Sequence, residues 1–317
     1  MNANGKTGVL VMSYGTPASM DQVEAYYTHI RRGRPPAKEQ LDDLIRRYEA
    51  IGGLFPLRRN TDAQTAALQQ ALDASFPEAG YRCYQGLKHA QPFIEDGVRA
   101  MAEDGIRHAV GIVLAPHYSA MSVGQYIQRA QAAAEDAGIE MSFVESYHDH
   151  PLLIEALSDR VERALRGFEP VPREDVRVMF TAHSLPARIL AMNDPYPEQL
   201  LETSRLIADR VGLAAWQFAW QSAGATPEPW LGPDVLEALK TLRKEGASHV
   251  LVSPIGFVSD HLEILYDLDI EAQAVASEIG LKLARTDMLN TDPLYISVLA
   301  DRVHRKRVQA WEEAQRP

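Results

Sequence analysis

Apolar runs typical of buried β-strands alternate with helical patterns along the whole chain. The runs Val-Leu-Val-Met at 9–12 and Val-Met-Phe at 178–180 are two examples. A strand that is apolar on both faces must be covered on both faces, as in parallel sheets flanked by helices. The alternation therefore predicts an α/β fold. Strands are predicted at 7–13, 81–86, 107–114, 140–146, 175–181, 214–220, 247–252 and 280–285. Helices are predicted at 19–32, 37–51, 61–75, 91–103, 122–137, 151–166, 196–211, 233–244, 260–277 and 292–314.

The chain also repeats itself weakly. "VLVMSYGTP" at 9–17 matches "VMFTAHSLP" at 178–186, and "HAVGIVLAPHYSAMSVGQY" at 108–126 matches "HVLVSPIGFVSDHLEILYD" at 249–267. Two halves of one architecture would produce this repeat, although the strand–loop–helix pattern common to all α/β units would also produce it. We expect one domain at 1–142 plus 286–317, with the last helix packed back on it, and a second domain at 143–285.

Composition and missing motifs exclude several functional classes. The net charge is −11, which argues against nucleic acid as a partner. No apolar stretch reaches the roughly 18 residues needed to span a bilayer, and the start has no signal-peptide pattern, so we expect a soluble cytoplasmic protein. The single cysteine, Cys83, excludes an internal disulfide and a four-thiolate zinc or iron–sulfur site. The motifs GxGxxG, GxxxxGK[ST] and GxSxG are absent, which removes support for dinucleotide, nucleotide and hydrolase sites.

Two side chains stand at equivalent strand ends in the two halves. Tyr14 follows the first strand, and His183 follows the strand that matches it in the repeat. Ligands of open parallel sheets bind beyond the carboxyl ends of the strands, so these positions would line one cleft if the halves face each other. A lone histidine is more often structural than functional, but this position favours a functional role for His183.

Three carboxylates, Glu263, Asp267 and Glu271, recur every four residues. On an α-helix this spacing places them on one face. A solvated acidic face is the ordinary explanation, but apolar neighbours and a preceding buried strand favour a track for a divalent cation. Glu263 and His183 would form an imidazole–carboxylate pair, suited to binding a metal loosely and to moving protons.

Two further segments suggest a flat anionic ligand. Residues 31–59 hold eight cations and four anions, and seven of the cations are arginine, the residue suited to bidentate carboxylate binding. This segment could form solvated helix faces or a patch that binds anions, and the sequence leaves both explanations open. "WQSAGATPEPWLGPD" at 220–234 predicts a rigid loop, and Trp230 within it is either packing or an aromatic wall for the ligand.

Seven sequence blocks resemble the ferrochelatases, which insert ferrous iron into a porphyrin. They are "VLVMSYGTP", "YYTHIRRGRPP", "RRYEAIGG", "GLKHAQPFIEDGV", "MFTAHSLP" followed by "NDPYPEQL", "WQSAGATPEPWLGPD" and "GFVSDHLEILYD". They run in family order from about residue 8 to 290. With Tyr14 and without a long apolar N-terminal lip, the chain is most similar to the soluble bacterial type. The resemblance implies a chelatase-like fold of two similar Rossmann-like domains. It also implies a lyase of haem biosynthesis that converts coproporphyrin III to coproheme.

The resemblance also assigns roles to individual residues. His183 and Glu263 would be catalytic and would bind the iron being inserted, with His183 neutral so that it accepts pyrrole protons. Tyr14 would ligate the product iron from the opposite face of the macrocycle. Asp267 and Glu271 would form an outer acidic row that allows a second divalent ion such as Mg²⁺. Porphyrin contacts are implied for Tyr14, Arg31, Arg47, Tyr48, Tyr126 and Trp230.

Three further positions carry no assigned porphyrin contact. Lys88 and His89 match a surface pair of the family without a defined role. Phe55 stands where relatives carry a serine near a propionate, which removes one hydrogen bond to the substrate.

Several alternatives stay open at this point. They are a protoporphyrin IX ferrochelatase, a cobalt or nickel tetrapyrrole chelatase, and a haem or porphyrin carrier. A carrier needs a pocket and an axial ligand but no carboxylate row, so the row favours an enzyme. The expected partners are coproporphyrin III, ferrous iron and, transiently, other enzymes of haem biosynthesis. We expect a monomer with no organic cofactor or iron–sulfur cluster.

Overall fold

Two parallel sheets of four strands each form the framework of the protein. The computed structural model describes residues 6–224 and 226–314. The first sheet has the order β2-β1-β3-β4 and the second has the order β6-β5-β7-β8, so the two halves share one topology and the α/β prediction is confirmed. The strands are β1 (Thr7–Ser13), β2 (Tyr81–Leu87), β3 (His108–Val113), β4 (Glu140–Val144), β5 (Val176–His183), β6 (Trp216–Gln221), β7 (His249–Ser253) and β8 (Lys282–Arg285).

Helices connect the strands in every interval. They are α1 (Val23–Ile30), α2 (Lys38–Ala50), α3 (Pro56–Ser75), α4 (Ile94–Glu103), α5 (Val123–Ala137), α6 (Pro151–Arg166), α7 (Tyr196–Val211), α8 (Val235–Lys244), α9 (Leu262–Leu265), a π-helix (Asp267–Ala272), α10 (Gln273–Glu278) and α11 (Pro293–Ala314). Short 3₁₀ turns lie at Met20–Gln22, Pro77–Ala79, Arg173–Asp175 and Ala187–Met192. Helix α3 begins five residues before its predicted start, because Pro56 at its first position has a backbone already set for a helix.

The predicted single α-helix at 260–277 is wrong. Within this segment the amide of Glu271 donates to the carbonyl of Tyr266 at 2.9 Å, a bond that spans five residues instead of four. This wider turn is a π-helix, a form that is uncommon and concentrated at functional sites. The carboxylate row therefore lies on a helix with altered spacing.

The first structural unit contains the described residues up to Ala115, Ser122–Tyr147 and the residues from Asn290 onward. Its centre is β1, in which Val9, Leu10, Val11 and Met12 are fully buried. Helix α11 packs on α3, β3 and β4. The hydroxyls of Tyr147 and Tyr295 lie 3.1 Å apart in this packed interior. The burial of β1 between helices fixes the positions of the residues that follow its carboxyl end.

The second unit contains Pro116–Met121 and His148–Leu289. It therefore takes in a short segment that the predicted limit at 142 assigned to the first domain. Asp194 explains this difference, since its carboxylate accepts hydrogen bonds from the hydroxyl of Ser119 at 3.0 Å and from the amide of Ala120 at 2.8 Å. An apolar core with Met179 and Leu239 among its buried members lies under β5, β6 and β7. This core holds the carboxyl end of β5 in place.

Candidate active site

His183 and Glu263 lie side by side in the second unit. His183 is the last residue of β5, and its backbone carbonyl accepts a hydrogen bond from the hydroxyl of Tyr196 at 3.1 Å. The ring nitrogen Nδ1 of His183 donates to the carbonyl of Ser184, because a carbonyl can only accept. This bond turns Nε2 toward Oε1 of Glu263, 3.6 Å away. The predicted imidazole–carboxylate pair is thus present in the structure.

The charges of this pair differ from the expectation of a neutral imidazole. Burial alone lowers the pKa of His183, but the Glu263 carboxylate and the Ser184 carbonyl outweigh burial and raise this pKa to about 9. Burial likewise raises the pKa of Glu263, and the opposing charge of His183 more than reverses the effect, so this pKa lies well below its usual range. Both shifts favour the charged forms, an imidazolium beside a carboxylate, in the substrate-free protein.

His261 is a member of the site that sequence reasoning missed. Its Nε2 lies 3.5 Å from Oε2 of Glu263, and its Nδ1 donates to the carbonyl of Ser259 at 3.0 Å. The carboxylate of Glu263 consequently bridges two imidazoles, with His183 on its other oxygen. The only available signal was the spacing His-x-Glu at the start of α9, which is too short and too common to predict a site.

The outer carboxylates are arranged as a row and do not converge. Asp267 is buried, and its carboxylate accepts a hydrogen bond from the hydroxyl of Ser222. Glu271 is half-buried further along the π-helix. In residues 6–224 and 226–314, no group of three or more histidine, cysteine, aspartate or glutamate side chains is arranged to hold a metal ion. A cation moving along this row would therefore meet one carboxylate at a time.

Trp230 lies in the loop that connects β6 to α8. Its indole Nε1 donates to the hydroxyl of Thr226 at 2.9 Å, and the ring covers Gly224 so closely that a Cβ there would lie 2.4 Å from it. The ring remains half-buried. These contacts hold the indole in one orientation, and its contact with porphyrin stays a prediction.

The predicted porphyrin residues of the first unit include an exposed tyrosine and a group of arginines. Tyr14 directly follows β1, is 42% exposed, and has its ring 4.6 Å from that of His89. Arg31, Arg32 and Arg34 line a depression of about 430 Å³ at the end of α1. The Nε of Arg31 is buried and has no hydrogen-bond partner among the described residues. These arginines thus form a cationic surface suited to carboxylates.

The side chains of the other predicted propionate contacts already interact with neighbouring residues. Arg47 donates to Asp43 at 2.9 Å. Tyr48 is buried, and its hydroxyl lies 2.9 Å from that of Thr16. The ring of Phe55, at the position where the resemblance implies a serine, packs 4.7 Å from that of Tyr48. An aromatic contact thus stands where the resemblance implies a hydroxyl near a propionate.

Comparison with known proteins decides the family. The ferrochelatase family model matches residues 6–307, almost the whole chain. The chain belongs to the ferrochelatase family. The coproporphyrin III ferrochelatase of Geobacillus thermodenitrificans is 46% identical over 98% of this chain and 99% of its own length. That of Geobacillus kaustophilus is 47% identical over 96% of both chains.

Solved structures extend the similarity of this ferrochelatase to more distant chelatases. SirB from Bacillus subtilis, solved with Fe³⁺, superposes with a TM-score of 0.61 at 15% identity and covers 98% of both chains. The sirohydrochlorin chelatase SirB of B. subtilis subspecies spizizenii, solved with cobalt, gives 0.56 at 14% identity over 95% of both chains. At these identities the similarity confirms the chelatase-like fold alone. None of the helices in the described part of the chain combines the length and apolar character that crossing a membrane requires.

Proposed function

We propose that this protein inserts ferrous iron into coproporphyrin III and releases coproheme. The substrate follows from relatives named coproporphyrin III ferrochelatases that match nearly the full length of the chain. The observation that carries the chemistry is the pair of His183 and Glu263, 3.6 Å apart at the end of β5. An imidazole and a carboxylate can bind a divalent metal loosely and can move protons, and metal insertion requires both.

Proton transfer is the task of His183 in this proposal. The two pyrrole N–H protons of a free porphyrin occupy the place that the metal must take. His183 can accept them only one at a time, passing each to the solvent that reaches 35% of its side chain. It must first lose its own proton in the same way, because Glu263 keeps it protonated in the substrate-free protein. An arriving Fe²⁺ adds positive charge beside the imidazolium and so favours release of that proton. Glu263, whose other oxygen contacts His261, then holds the neutral imidazole of His183 in position.

Ring distortion requires binding energy from groups remote from the metal. The macrocycle must bend so that a nitrogen lone pair points at the iron. Arg31, Arg32 and Arg34 line one depression and can bind carboxylates, so propionate binding there would stabilise a bent ring. Tyr14, which is exposed at the end of β1, would supply the axial oxygen for the product iron.

The acidic row has a limited role in the proposal. Asp267 and Glu271 would pass iron toward Glu263 one carboxylate at a time. A second divalent ion such as Mg²⁺ fits less well, because within the described residues no group of three or more histidine, cysteine, aspartate or glutamate side chains is arranged to hold a metal ion. No step of the reaction is assigned to such an ion.

The cellular setting is part of the same proposal. We expect a cytoplasmic monomer that contains no organic cofactor and contacts other haem-pathway enzymes only transiently. Light scattering of the purified protein measures its mass, and its absorbance spectrum reports any bound chromophore. A stable dimer or a resident chromophore would contradict these expectations.

Mixing the purified protein anaerobically with ferrous iron and either coproporphyrin III or protoporphyrin IX tests the proposed activity. Absorbance follows the conversion of each porphyrin. We expect faster conversion of coproporphyrin III. Faster conversion of protoporphyrin IX would overturn the substrate, and binding without insertion would make the protein a carrier. Cobalt and nickel are tested in parallel with coproporphyrin and with sirohydrochlorin. Faster insertion of either metal than of iron would identify the protein as a different chelatase.

A further inference from the structure

Lys88 occupies an unusual place next to Tyr14. The ladder between β1 and β2 continues past the strand ends, since the amide of Lys88 donates to the carbonyl of Ser13 at 2.9 Å and that of His89 donates to the carbonyl of Tyr14 at 3.0 Å. Lys88 and the exposed Tyr14 are therefore neighbours at one edge of the sheet. A flat ligand lying against Tyr14 would bring its periphery close to Lys88.

The ammonium of Lys88 is half-buried against α5. Its Nζ donates to the side-chain carbonyl of Gln125 at 2.8 Å and lies 5.0 Å from the centre of the Tyr126 ring. Cation–π contact and one neutral hydrogen bond compensate a desolvated ammonium only in part. Among the described residues no carboxylate forms a salt bridge with Lys88. An anion would complete this environment.

The surrounding charges are positive. Arg129 donates to the backbone carbonyl of Lys88 at 2.7 Å, and its own counter-ion is Glu95, which it holds through two hydrogen bonds of 2.9 and 2.7 Å. Glu95 is thus paired with Arg129 and does not neutralise Lys88. Burial, followed by the charges of Arg129 and Arg32, lowers the pKa of Lys88 to about 8. Near neutral pH the side chain still carries its charge, but at a free-energy cost that a bound anion would offset.

The ring of His89 is held by two aromatic neighbours. It lies 4.6 Å from the ring of Tyr14 and 5.3 Å from that of His29. Its Nδ1 lies 3.1 Å from Nδ1 of His29. Directly after the ends of β1 and β2, Lys88 is thus the side chain that places an ammonium beside Tyr14.

We propose that Lys88 binds a propionate of the porphyrin, in a subsite formed with Gln125 and Tyr126. The resemblance already implies a porphyrin contact for Tyr126, and the Lys88 ammonium lies 5.0 Å from the centre of its ring. This subsite rests on the proposed function, because it takes its anion from the porphyrin. Coproporphyrin carries a propionate on every pyrrole ring, so it has carboxylates for this subsite and for the arginines of α1 together.

Substitution and binding test the subsite. Lys88→Met keeps most of the side chain and removes the charge, Lys88→Arg keeps the charge, and Lys240→Met removes an exposed lysine from α8 as a matched control. Fluorescence quenching gives the Kd of each variant for metal-free coproporphyrin III. We expect a Kd about tenfold higher for Lys88→Met, partial recovery in Lys88→Arg, and no change in Lys240→Met. An unchanged Kd in Lys88→Met would overturn the subsite.

A second measurement needs no variant. An amine-acylating reagent should modify both the half-buried Lys88 and the exposed Lys240 in the porphyrin-free protein. Saturating coproporphyrin III should protect Lys88 and leave Lys240 unaffected, as read by peptide mass spectrometry. Equal labelling of Lys88 with and without porphyrin would overturn the proposal. Both measurements use metal-free porphyrin, so they remain decisive if the wild-type protein fails to insert iron, and that failure would contradict only the proposed function.

Discussion

The Nε2 atom of His183 lies 3.6 Å from Oε1 of Glu263. The two residues come from distant parts of the sequence, one at the end of β5 and the other in the first turn of α9. Solvent reaches 35% and 36% of their side chains. A pair that is half-buried and still accessible can be paired at rest and can still receive a metal or a proton.

Replacing His183 by alanine should abolish iron insertion while leaving porphyrin binding intact. The variant loses the proton acceptor, which should lower the rate by roughly a hundredfold or more. Anaerobic absorbance measures insertion, and fluorescence quenching measures the Kd for coproporphyrin III. Robust turnover by this variant would remove His183 from the mechanism.

Replacing Glu263 by glutamine should change stability in a pH-dependent way. The raised pKa of His183 stabilises the fold fully below its unfolded value of 6.5, and this contribution disappears as pH rises through about 9. The lowered pKa of Glu263 contributes above 4.5 and is lost as pH falls below that value. With solvent screening we expect a loss of about 1 kcal/mol at pH 6 and almost none at pH 10. Urea unfolding at both pH values measures it, and an equal loss at both would contradict the ion pair.

His261 should act as a positioning residue. Its contact with Oε2 of Glu263 fixes the carboxylate that faces His183. We expect His261→Ala to lower kcat about tenfold, as loss of supporting contacts around a metal ligand typically does, with little change in the KM for porphyrin. His261→Gln can still donate a hydrogen bond and should recover part of kcat. A raised KM, or no recovery, would indicate a different role.

The sequence predicted the framework well because its signals are local. Apolar runs place all eight strands, and the end of β5 presents His183 as expected. The π-helix was not predictable, since the carbonyl of Tyr266 accepts both the ordinary bond from Ile270 at 3.2 Å and the wider bond from Glu271 at 2.9 Å, and the apolar pattern does not distinguish the two. His261 and the charge of His183 both depend on a carboxylate brought close by tertiary folding, which spacing along the chain does not report.

Phe55→Ser should exchange stability for substrate affinity. The substitution removes an aromatic contact 4.7 Å from Tyr48, which costs about 1 kcal/mol. The new hydroxyl can bind a propionate, so we expect the Kd for coproporphyrin III to fall about threefold. Urea titration and fluorescence quenching measure the two effects. Weaker porphyrin binding would show that the Phe55 ring itself contributes to the site.

Gly256→Ala should disturb the strand that carries His183. A Cβ at this position would lie 2.3 Å from Cβ and 2.7 Å from Cα of Ala182, and at such distances the backbone must move. The amide of Gly256 also donates to the carbonyl of Thr181 at 3.1 Å, which leaves little room for adjustment.

We expect Gly256→Ala to destabilise the fold by about 2 kcal/mol and to lower iron insertion, because displacement of Ala182 moves His183 away from Glu263. Adding Ala182→Gly removes one of the two clashing atoms and should restore part of both properties. Urea unfolding and the anaerobic insertion assay follow the single and double variants. Full activity in the Gly256→Ala variant would mean that the position of His183 tolerates this shift.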